Sequence, residues 1–147
     1  MTTGIYRLTF LDGTTYIGQS VDMEARFEQH CKNMLKNKAS EKMQYAYKHF
    51  GLPKQDFLVT CHRDHLDILE AFYINSLRPV LNTERPVSEI DSTLYKVIVE
   101  NGYHNKSMVQ LIMQLYAVEN GFSQRIANKP VVYATEAKAW WKKLLGL

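Results

Sequence analysis

The sequence predicts an α+β fold, with a small antiparallel three-stranded sheet flanked by helices and followed by a helical C-terminal region. Two β-rich runs, residues 4–10 and 14–20, flank the turn Leu11-Asp12-Gly13-Thr14, and a third β-rich run covers residues 57–61. Apolar residues at helical spacing fill the segments between and after these runs. The resulting order ββααβα is typical of a small sheet with helices packed on it.

The register of the first hairpin decides whether Tyr6 and Tyr16 share a face of the sheet. A two-residue loop would place the two rings on opposite faces, because strand side chains alternate. A three-residue loop over residues 11–13 pairs Phe10 with Thr14 and gives the loop glycine the left-handed position of a bulged turn. If both tyrosines serve one site, the three-residue loop is required.

Capping signals predict the bounds of the helices. Asp22 and Ser40 are the expected N-caps of two helices, which end near Leu35 and at Gly51. Asp64 is expected to open a third helix, which stops before the next Arg-Pro pair because the residue preceding a proline disfavours helical geometry.

Pro86 marks a predicted domain boundary, with one domain over residues 1–86 and a helical extension over residues 87–147. Two segments of the extension read Glu-Asn-Gly followed by an aromatic residue, which is typical of a helix C-cap with its hydrophobic contact. Helices are predicted over residues 88–101, 107–120 and 135–145.

Composition places the chain among ordinary globular proteins. It has 147 residues, 46% hydrophobic and 22% charged, with a net charge of +3. No apolar run approaches the ~20 residues that span a bilayer, and the N-terminus lacks the pattern of a signal peptide. Two cysteines form neither a disulfide framework nor a metal-binding pair. We therefore expect an intracellular, reduced, cytoplasmic protein with no membrane partner.

A pair of tripeptides carries the functional signal. Gly4-Ile5-Tyr6 and Tyr16-Ile17-Gly18 stand on either side of the hairpin turn, and they are followed in order by Arg26, His30, Glu70 and Asn82. Over roughly residues 4–84, this order resembles the GIY-YIG nuclease family. The resemblance implies an endonuclease that hydrolyses DNA and leaves 5′-phosphate and 3′-hydroxyl ends. The compact chain suits a phage, mobile-element or restriction enzyme, and the alternative is a nucleic-acid-binding or inhibitory module with little catalysis.

The resemblance implies roles for both tyrosines. Tyr6 matches the position of the general base, and Tyr16 matches the second active-site tyrosine. A phenol has a pKa of about 10, so it needs a nearby cation to ionise. No lysine follows the second tripeptide, and His30 is the expected substitute. Without the resemblance, both tyrosines would be ordinary strand aromatics.

Arg26 and Asn82 match the remaining polar positions of the motif. The Arg26 guanidinium can hold a phosphate oxygen and stabilise the charge of a transition state. Its alternative is a surface ion pair with Asp22 or Glu24. The resemblance implies that Asn82 orders the site through backbone hydrogen bonds, and the alternative is a simple turn residue.

Glu70 is a carboxylate on an apolar helical stripe, where burial without a partner is costly. It could reach water or a lysine at the helix boundary, or it could bind a divalent metal. A glutamate on this helix binds the single catalytic metal of the family, so the resemblance implies one Mg²⁺ or Mn²⁺ at Glu70. Asp64 is expected as a cap and Asp67 as a solvent-facing residue, which leaves no second acid for a two-metal site.

A run of lysines follows the arginine-bearing helix, and Glu41 is the only acid between residues 32 and 54. Charge runs are usually solvated helix faces, but beside a nuclease motif a DNA-phosphate-binding patch is equally reasonable. The lysines assigned to this patch are Lys32, Lys36, Lys38, Lys42 and Lys48.

The extension over residues 87–147 has three open interpretations, namely packing on the nuclease domain, homodimer formation and DNA targeting. Residues 114–128 weakly resemble a helix-turn-helix, but Pro130 would interrupt its recognition helix. The expected partner is duplex DNA.

Overall fold

The structure, a computed structural model, describes residues 1–83 and 92–111. The chain divides into two compact units, Met1–Ser88 and Glu89–Leu147. The first unit contains strands β1 (Gly4–Thr9), β2 (Thr15–Ser20) and β3 (Lys54–Thr60). They form an antiparallel sheet in the order β2-β1-β3. The predicted three-stranded sheet is therefore confirmed, although β3 begins three residues earlier than the sequence indicated.

The hairpin between β1 and β2 has the three-residue loop. Phe10 and Gly13 close it through backbone bonds, with Phe10 donating to the Thr14 carbonyl at 3.0 Å and Gly13 donating to the Phe10 carbonyl at 2.9 Å. Gly13 has a φ of +89°, where a residue with a β-carbon would be strained. The register places Tyr6 opposite Gly18. Both tyrosines of the motif consequently lie on one face, as predicted.

Two capped helices follow the hairpin, α1 (Met23–Leu35) and α2 (Glu41–Phe50). Asp22 accepts from the Ala25 amide and Ser40 from the Met43 amide, so both predicted N-caps are confirmed. Gly51 ends α2 with a φ of +80°.

The third helix, α3 (Leu66–Leu77), does not begin as predicted. A short 3₁₀ turn, Arg63–His65, precedes it, and the His62 side chain accepts the Asp64 amide at its start. The prediction of Asp64 as the cap is wrong, because Asp64 lies inside the 3₁₀ turn and α3 begins after His65 without a side-chain cap. Arg78 ends α3 in the left-handed conformation.

Alternating residues of β1 divide the core between the two faces of the sheet. Tyr6, Leu8 and Phe10 belong to a buried cluster with Met23 and Met34 of α1. The intervening positions Ile5 of β1 and Ile17 of β2 are also buried, and α3 packs against both strands. The sheet therefore carries α1 and α2 on one face and α3 on the other.

The second unit contains α4 (Ser92–Glu100), and residues 106–111 are also helical. The amide of Gly102 bonds to Val99 at 3.3 Å, and that of Tyr103 bonds to Ile98 at 2.9 Å. Gly102 has a φ of +67°, so this helix ends in a Schellman motif, as the Glu-Asn-Gly-aromatic pattern predicted. The similar pattern at 119–122 and the predicted helix over 135–145 lie outside the described residues. In the described part of the chain, no helix is long and apolar enough to cross a membrane.

Candidate active site

The glycines of the two tripeptides provide space for the site. A β-carbon at Gly18 would lie 2.6 Å from Cζ of Tyr6 and 3.1 Å from a ring carbon of Tyr16. A β-carbon at Gly4 would collide with the Val59 carbonyl on the neighbouring strand. The tyrosine rings therefore lie over a strand position that only glycine can occupy without displacing them.

Tyr6, Tyr16 and His30 form a compact ring cluster between the sheet and α1. The Tyr6 Oη lies 2.7 Å from Nε2 of His30. The ring centroid of Tyr16 lies 6.4 Å from that of Tyr6 and 5.5 Å from that of His30. Only 1% of the Tyr6 surface and 6% of the His30 surface is exposed. The cluster is therefore a largely buried Tyr–His contact with a second phenol beside it.

Burial favours the neutral form of each member of this cluster. It raises the pKa of Tyr6, an effect that the nearby Tyr16 increases and Arg26 opposes. Burial likewise raises the pKa of Tyr16. Burial and the Arg26 charge lower the pKa of His30 to about 4. The expectation that His30 supplies a cation beside Tyr6 is therefore wrong, because a buried imidazole next to a guanidinium stays neutral at pH 7.

Arg26 is the cation of the site. Its Nη1 donates to Oε1 of Gln29 at 2.8 Å. The sequence also allowed an ion pair between Arg26 and Asp22 or Glu24. In the structure, the Asp22 side chain instead accepts from the Ala25 amide and caps α1, and the Glu24 carboxylate accepts from Thr2. The side chain is half-buried, and its charge affects the pKa of both motif tyrosines and of His30. The guanidinium therefore lies close to the ring cluster, and none of the ion pairs described within residues 1–83 and 92–111 includes it.

Glu70 lies half-buried on α3, and burial raises its pKa. A hydrogen bond with Gln19 opposes this shift, and the charge of Asp67 adds to it. Nε2 of Gln19 donates to Oδ1 of Asp67 at 2.7 Å. The Glu70 charge in turn raises the pKa of Tyr6 and Tyr16, so α3 brings its carboxylate within electrostatic range of the rings.

The donors around Glu70 suit a hard divalent cation. Carboxylate and amide oxygens are the ligands that Mg²⁺ accepts, and Mg²⁺ usually binds through one or two carboxylates while it keeps several waters. Within residues 1–83 and 92–111, no three His, Cys, Asp or Glu side chains are close enough to hold an ion by themselves. Glu70, with Asp67 one turn earlier, could supply the protein's share of such an open site.

Gln19 and Asp67 lie beside Glu70, but neither residue was predicted from the sequence to belong to the site. Asp67 is exposed, as predicted, but it also bonds to Gln19 beside Glu70. The spacing of three residues between Asp67 and Glu70 was the available signal, because it places two carboxylates on one side of a helix. Gln19 offered no signal beyond its position after the second tripeptide.

Asn82 binds the backbone of β2 with its side-chain amide. The Ile17 amide donates to Oδ1 at 2.9 Å, and Nδ2 donates to the Ile17 carbonyl at 2.8 Å. The adjacent Leu81 amide donates to the Thr15 carbonyl at 3.1 Å. The backbone hydrogen bonds that the resemblance implied are thus present, and they fix the strand that carries Tyr16.

The five lysines of the predicted phosphate patch are all exposed on α1, α2 and their connection. Lys32 pairs with Glu28 at 3.1 Å, one turn away on α1. No hydrogen bond or ion pair described in residues 1–83 joins these lysines to the ring cluster or to Glu70.

Comparison with known proteins agrees with this geometry. The family model described as the GIY-YIG catalytic domain matches residues 2–85. A mutant catalytic domain of the intron endonuclease I-TevI is similar, with 25% identity, a TM-score of 0.53, and coverage of 60% of this chain and 100% of that chain. A second structure, the catalytic domain of the homing endonuclease I-TevI, has 25% identity and a TM-score of 0.48 over 59% of this chain and 99% of that chain.

No curated protein matched the sequence. The family model nevertheless spans more than half of the chain and contains both tripeptides, Arg26, His30, Glu70 and Asn82. The chain belongs to the GIY-YIG family, and it is an endonuclease of that family.

Proposed function

We propose that the chain hydrolyses DNA phosphodiester bonds with the help of one divalent metal ion. The observation that carries this proposal is the 2.7 Å contact between Oη of Tyr6 and Nε2 of His30. It joins a phenol to a neutral base at the centre of the site, next to the guanidinium of Arg26. The similarity to the catalytic domain of an intron endonuclease supports a mobile-element type of enzyme.

Tyr6 and His30 would act together on the attacking water. Because the pKa of Tyr6 is raised and that of His30 is lowered, neither residue ionises readily alone. The phenol oxygen accepts a proton from water while its own proton moves to Nε2 of His30. The water oxygen bonds to phosphorus, the bond to the 3′ oxygen breaks, and that oxygen takes a proton from solvent. The products carry 5′-phosphate and 3′-hydroxyl ends.

Arg26 and Glu70 would help to stabilise the charges that develop on the phosphate and on His30 in this reaction. The guanidinium can hold a non-bridging phosphate oxygen, and the bound phosphate then offsets the positive charge that develops on His30. Glu70, with Asp67 and Gln19 beside it, would hold Mg²⁺ or Mn²⁺. The ion, when bound, supplies charge neutralisation at the scissile phosphate. Tyr16 would orient the phosphate beside the ring cluster.

Glu70→Ala tests the metal assignment. We expect it to abolish cleavage of plasmid, linear and branched DNA in Mg²⁺ or Mn²⁺ while DNA binding persists, because the main carboxylate ligand is lost. Asp64→Ala is the matched control, since Asp64 is an exposed acid in the turn before the same helix. Full nicking by Glu70→Ala would falsify the single-metal assignment. A wild-type protein that binds DNA but cuts none of these substrates would support the alternative, a nucleic-acid-binding or inhibitory module.

The two units would have different functions. Every proposed catalytic residue lies within residues 1–86, and we propose that residues 87–147 serve DNA targeting or homodimer formation. Deletion of residues 87–147 should weaken DNA binding or change target choice more than it lowers cleavage at saturating DNA. Circular dichroism and thermal melting must show that the fragment is folded. A folded fragment that cuts the same sites with the same affinity would contradict the targeting role.

A further inference from the structure

A groove between the end of α1 and the surface of α2 lies outside the candidate active site. We call it the α1–α2 groove. It has a volume of about 380 Å³, and it is lined by Met34, Leu35, Asn37, Gln44, Tyr45, Tyr47 and Lys48. Oε1 of Gln44 accepts from the Ala39 amide at 3.1 Å, and Nε2 donates to the Met34 carbonyl at 3.2 Å. These two hydrogen bonds connect α2 to the end of α1 and fix the position of the two segments that form the groove.

The wall of the α1–α2 groove presents an exposed aromatic ring. Tyr45 is 64% exposed and Leu35 is 62% exposed, which is unusual for two large apolar side chains on one small surface. The His49 ring lies one turn from Tyr45, with 4.2 Å between the ring centroids. The neighbouring ring restricts the Tyr45 side chain while its outer face stays open. An open, restrained aromatic face is suited to stacking against a planar group.

The charges around this ring select an anionic partner. Lys42 and Lys48 lie three residues before and after Tyr45 on α2, within one helical turn on either side. Lys36 and Lys38 are exposed between the two helices. Glu41 is an exposed acid one turn before Tyr45 on the same helix, and Lys48 is the charged residue among the described residues that line the groove. Positive charge on both sides of a planar ring complements a nucleotide, which carries its phosphates on either side of a planar base.

We propose that the α1–α2 groove binds an unpaired nucleotide of the nucleic-acid substrate, with the base stacked on Tyr45 and the flanking phosphates near Lys42 and Lys48. Bases within a duplex already stack on their neighbours, so the ring can take only a base that is unpaired, splayed or terminal. The inference rests on the proposed function in that the substrate is a nucleic acid. It adds that the substrate presents single-stranded character outside the active site.

The test uses the full chain in EDTA, so that binding is measured without cleavage. Fluorescence anisotropy would compare a single-stranded oligonucleotide with the same sequence as a blunt duplex, and a 2-aminopurine version would report stacking by quenching. Tyr45→Leu should weaken single-strand binding about tenfold or more and remove the quenching, because base–aromatic stacking is lost. Tyr45→Phe keeps the ring and should bind within about twofold of wild type. Duplex binding should change little in either variant.

A lysine pair separates stacking from general charge. Lys48→Gln should reduce single-strand affinity and lower the salt dependence by about one phosphate contact. Lys54→Gln removes an exposed lysine on β3 outside the groove and should leave single-strand binding unchanged. Equal losses in the two lysine variants would overturn the assignment of phosphates to this groove.

Three other results would overturn the inference. Tyr45→Leu could bind single strands as wild type does, it could lose duplex and single-strand affinity equally, or it could change the sedimentation of the protein without changing nucleic-acid binding. The last result would assign the groove to a second copy of the chain. Failure of the proposed function looks different, because a wild-type protein that never cuts DNA in metal could still show the Tyr45-dependent quenching.

Discussion

The pair Tyr6–His30 and the pair Tyr45–His49, both in the first unit, differ in burial. Tyr6 and His30 are buried and joined through a 2.7 Å polar contact. Tyr45 and His49 are exposed on α2, and their rings are tilted by 48° to each other with centroids 4.2 Å apart. The first pair is linked through its polar atoms, whereas the second pair is held through its ring faces.

The difference shows that burial decides which part of a tyrosine–histidine pair, its polar atoms or its ring faces, is available for function. Inside the protein, desolvation disfavours the charged forms of both phenol and imidazole, so the hydrogen-bonded pair rests in its neutral form, with an acceptor nitrogen available for a proton relayed through the phenol. At the surface, water solvates the polar atoms, and the ring faces become the useful part. We therefore assign proton transfer to the first pair and base stacking to the second.

Removal of each histidine should produce the largest contrast between the pairs. His30→Gln keeps a polar side chain near Tyr6 but cannot take up a proton, and we expect kcat to fall about 100- to 10,000-fold, the range of general acid–base catalysis. His49→Ala should leave kcat unchanged and raise KM a few-fold for substrates with unpaired nucleotides, because Tyr45 loses its neighbouring ring. Steady-state cleavage assays would measure both constants.

Thermal melting must show that His30→Gln is folded, since His30 is 6% exposed. A folded His30→Gln with the kcat of wild type would remove His30 from the proton transfer. A fall in kcat for His49→Ala would show that the exposed pair also contributes to the chemical step.

Much of the fold could be predicted because it depends on local rules. The three-residue hairpin loop followed from strand alternation together with the requirement that Tyr6 and Tyr16 serve one site, and the caps at Asp22 and Ser40 followed from short polar side chains before apolar helical spacing. The start of α3 could not be predicted as well, because a 3₁₀ turn capped by His62 precedes the helix, and α3 itself begins without a side-chain cap. Local signals give the elements, but they do not decide between the two hairpin registers or show where α3 begins.

The residues of the ring cluster could be predicted from the sequence, but their charge states could not. The order of the motif residues named the members of the ring cluster, and the structure places Tyr6, Tyr16 and His30 together. The neutral state of His30 depends on burial, which is a property of the folded protein and has no local signal. The bond between Gln19 and Asp67 joins residues 48 apart, so it also becomes visible only after folding.

The buried pair should also make stability depend on pH, with a smaller effect than the change in catalysis. The pKa of His30 is lowered from 6.5 to about 4 in the folded protein. Between these two values the unfolded chain binds more protons than the native state, so the free energy of unfolding falls as pH decreases from about 6.5 toward 4. The shift corresponds to a loss of roughly 2–3 kcal/mol across this window.

His30→Gln has no imidazole at this position and should lose correspondingly less stability over the same interval. Urea unfolding of the two proteins at pH 7 and at pH 4.5 measures the difference, and carboxylates common to both largely cancel in the comparison. If wild type and His30→Gln lose equal stability, the buried imidazole is not held neutral by the fold. The argument for His30 as a neutral proton acceptor would then fail, and the contrast between the buried and exposed pairs would have to be drawn from geometry alone.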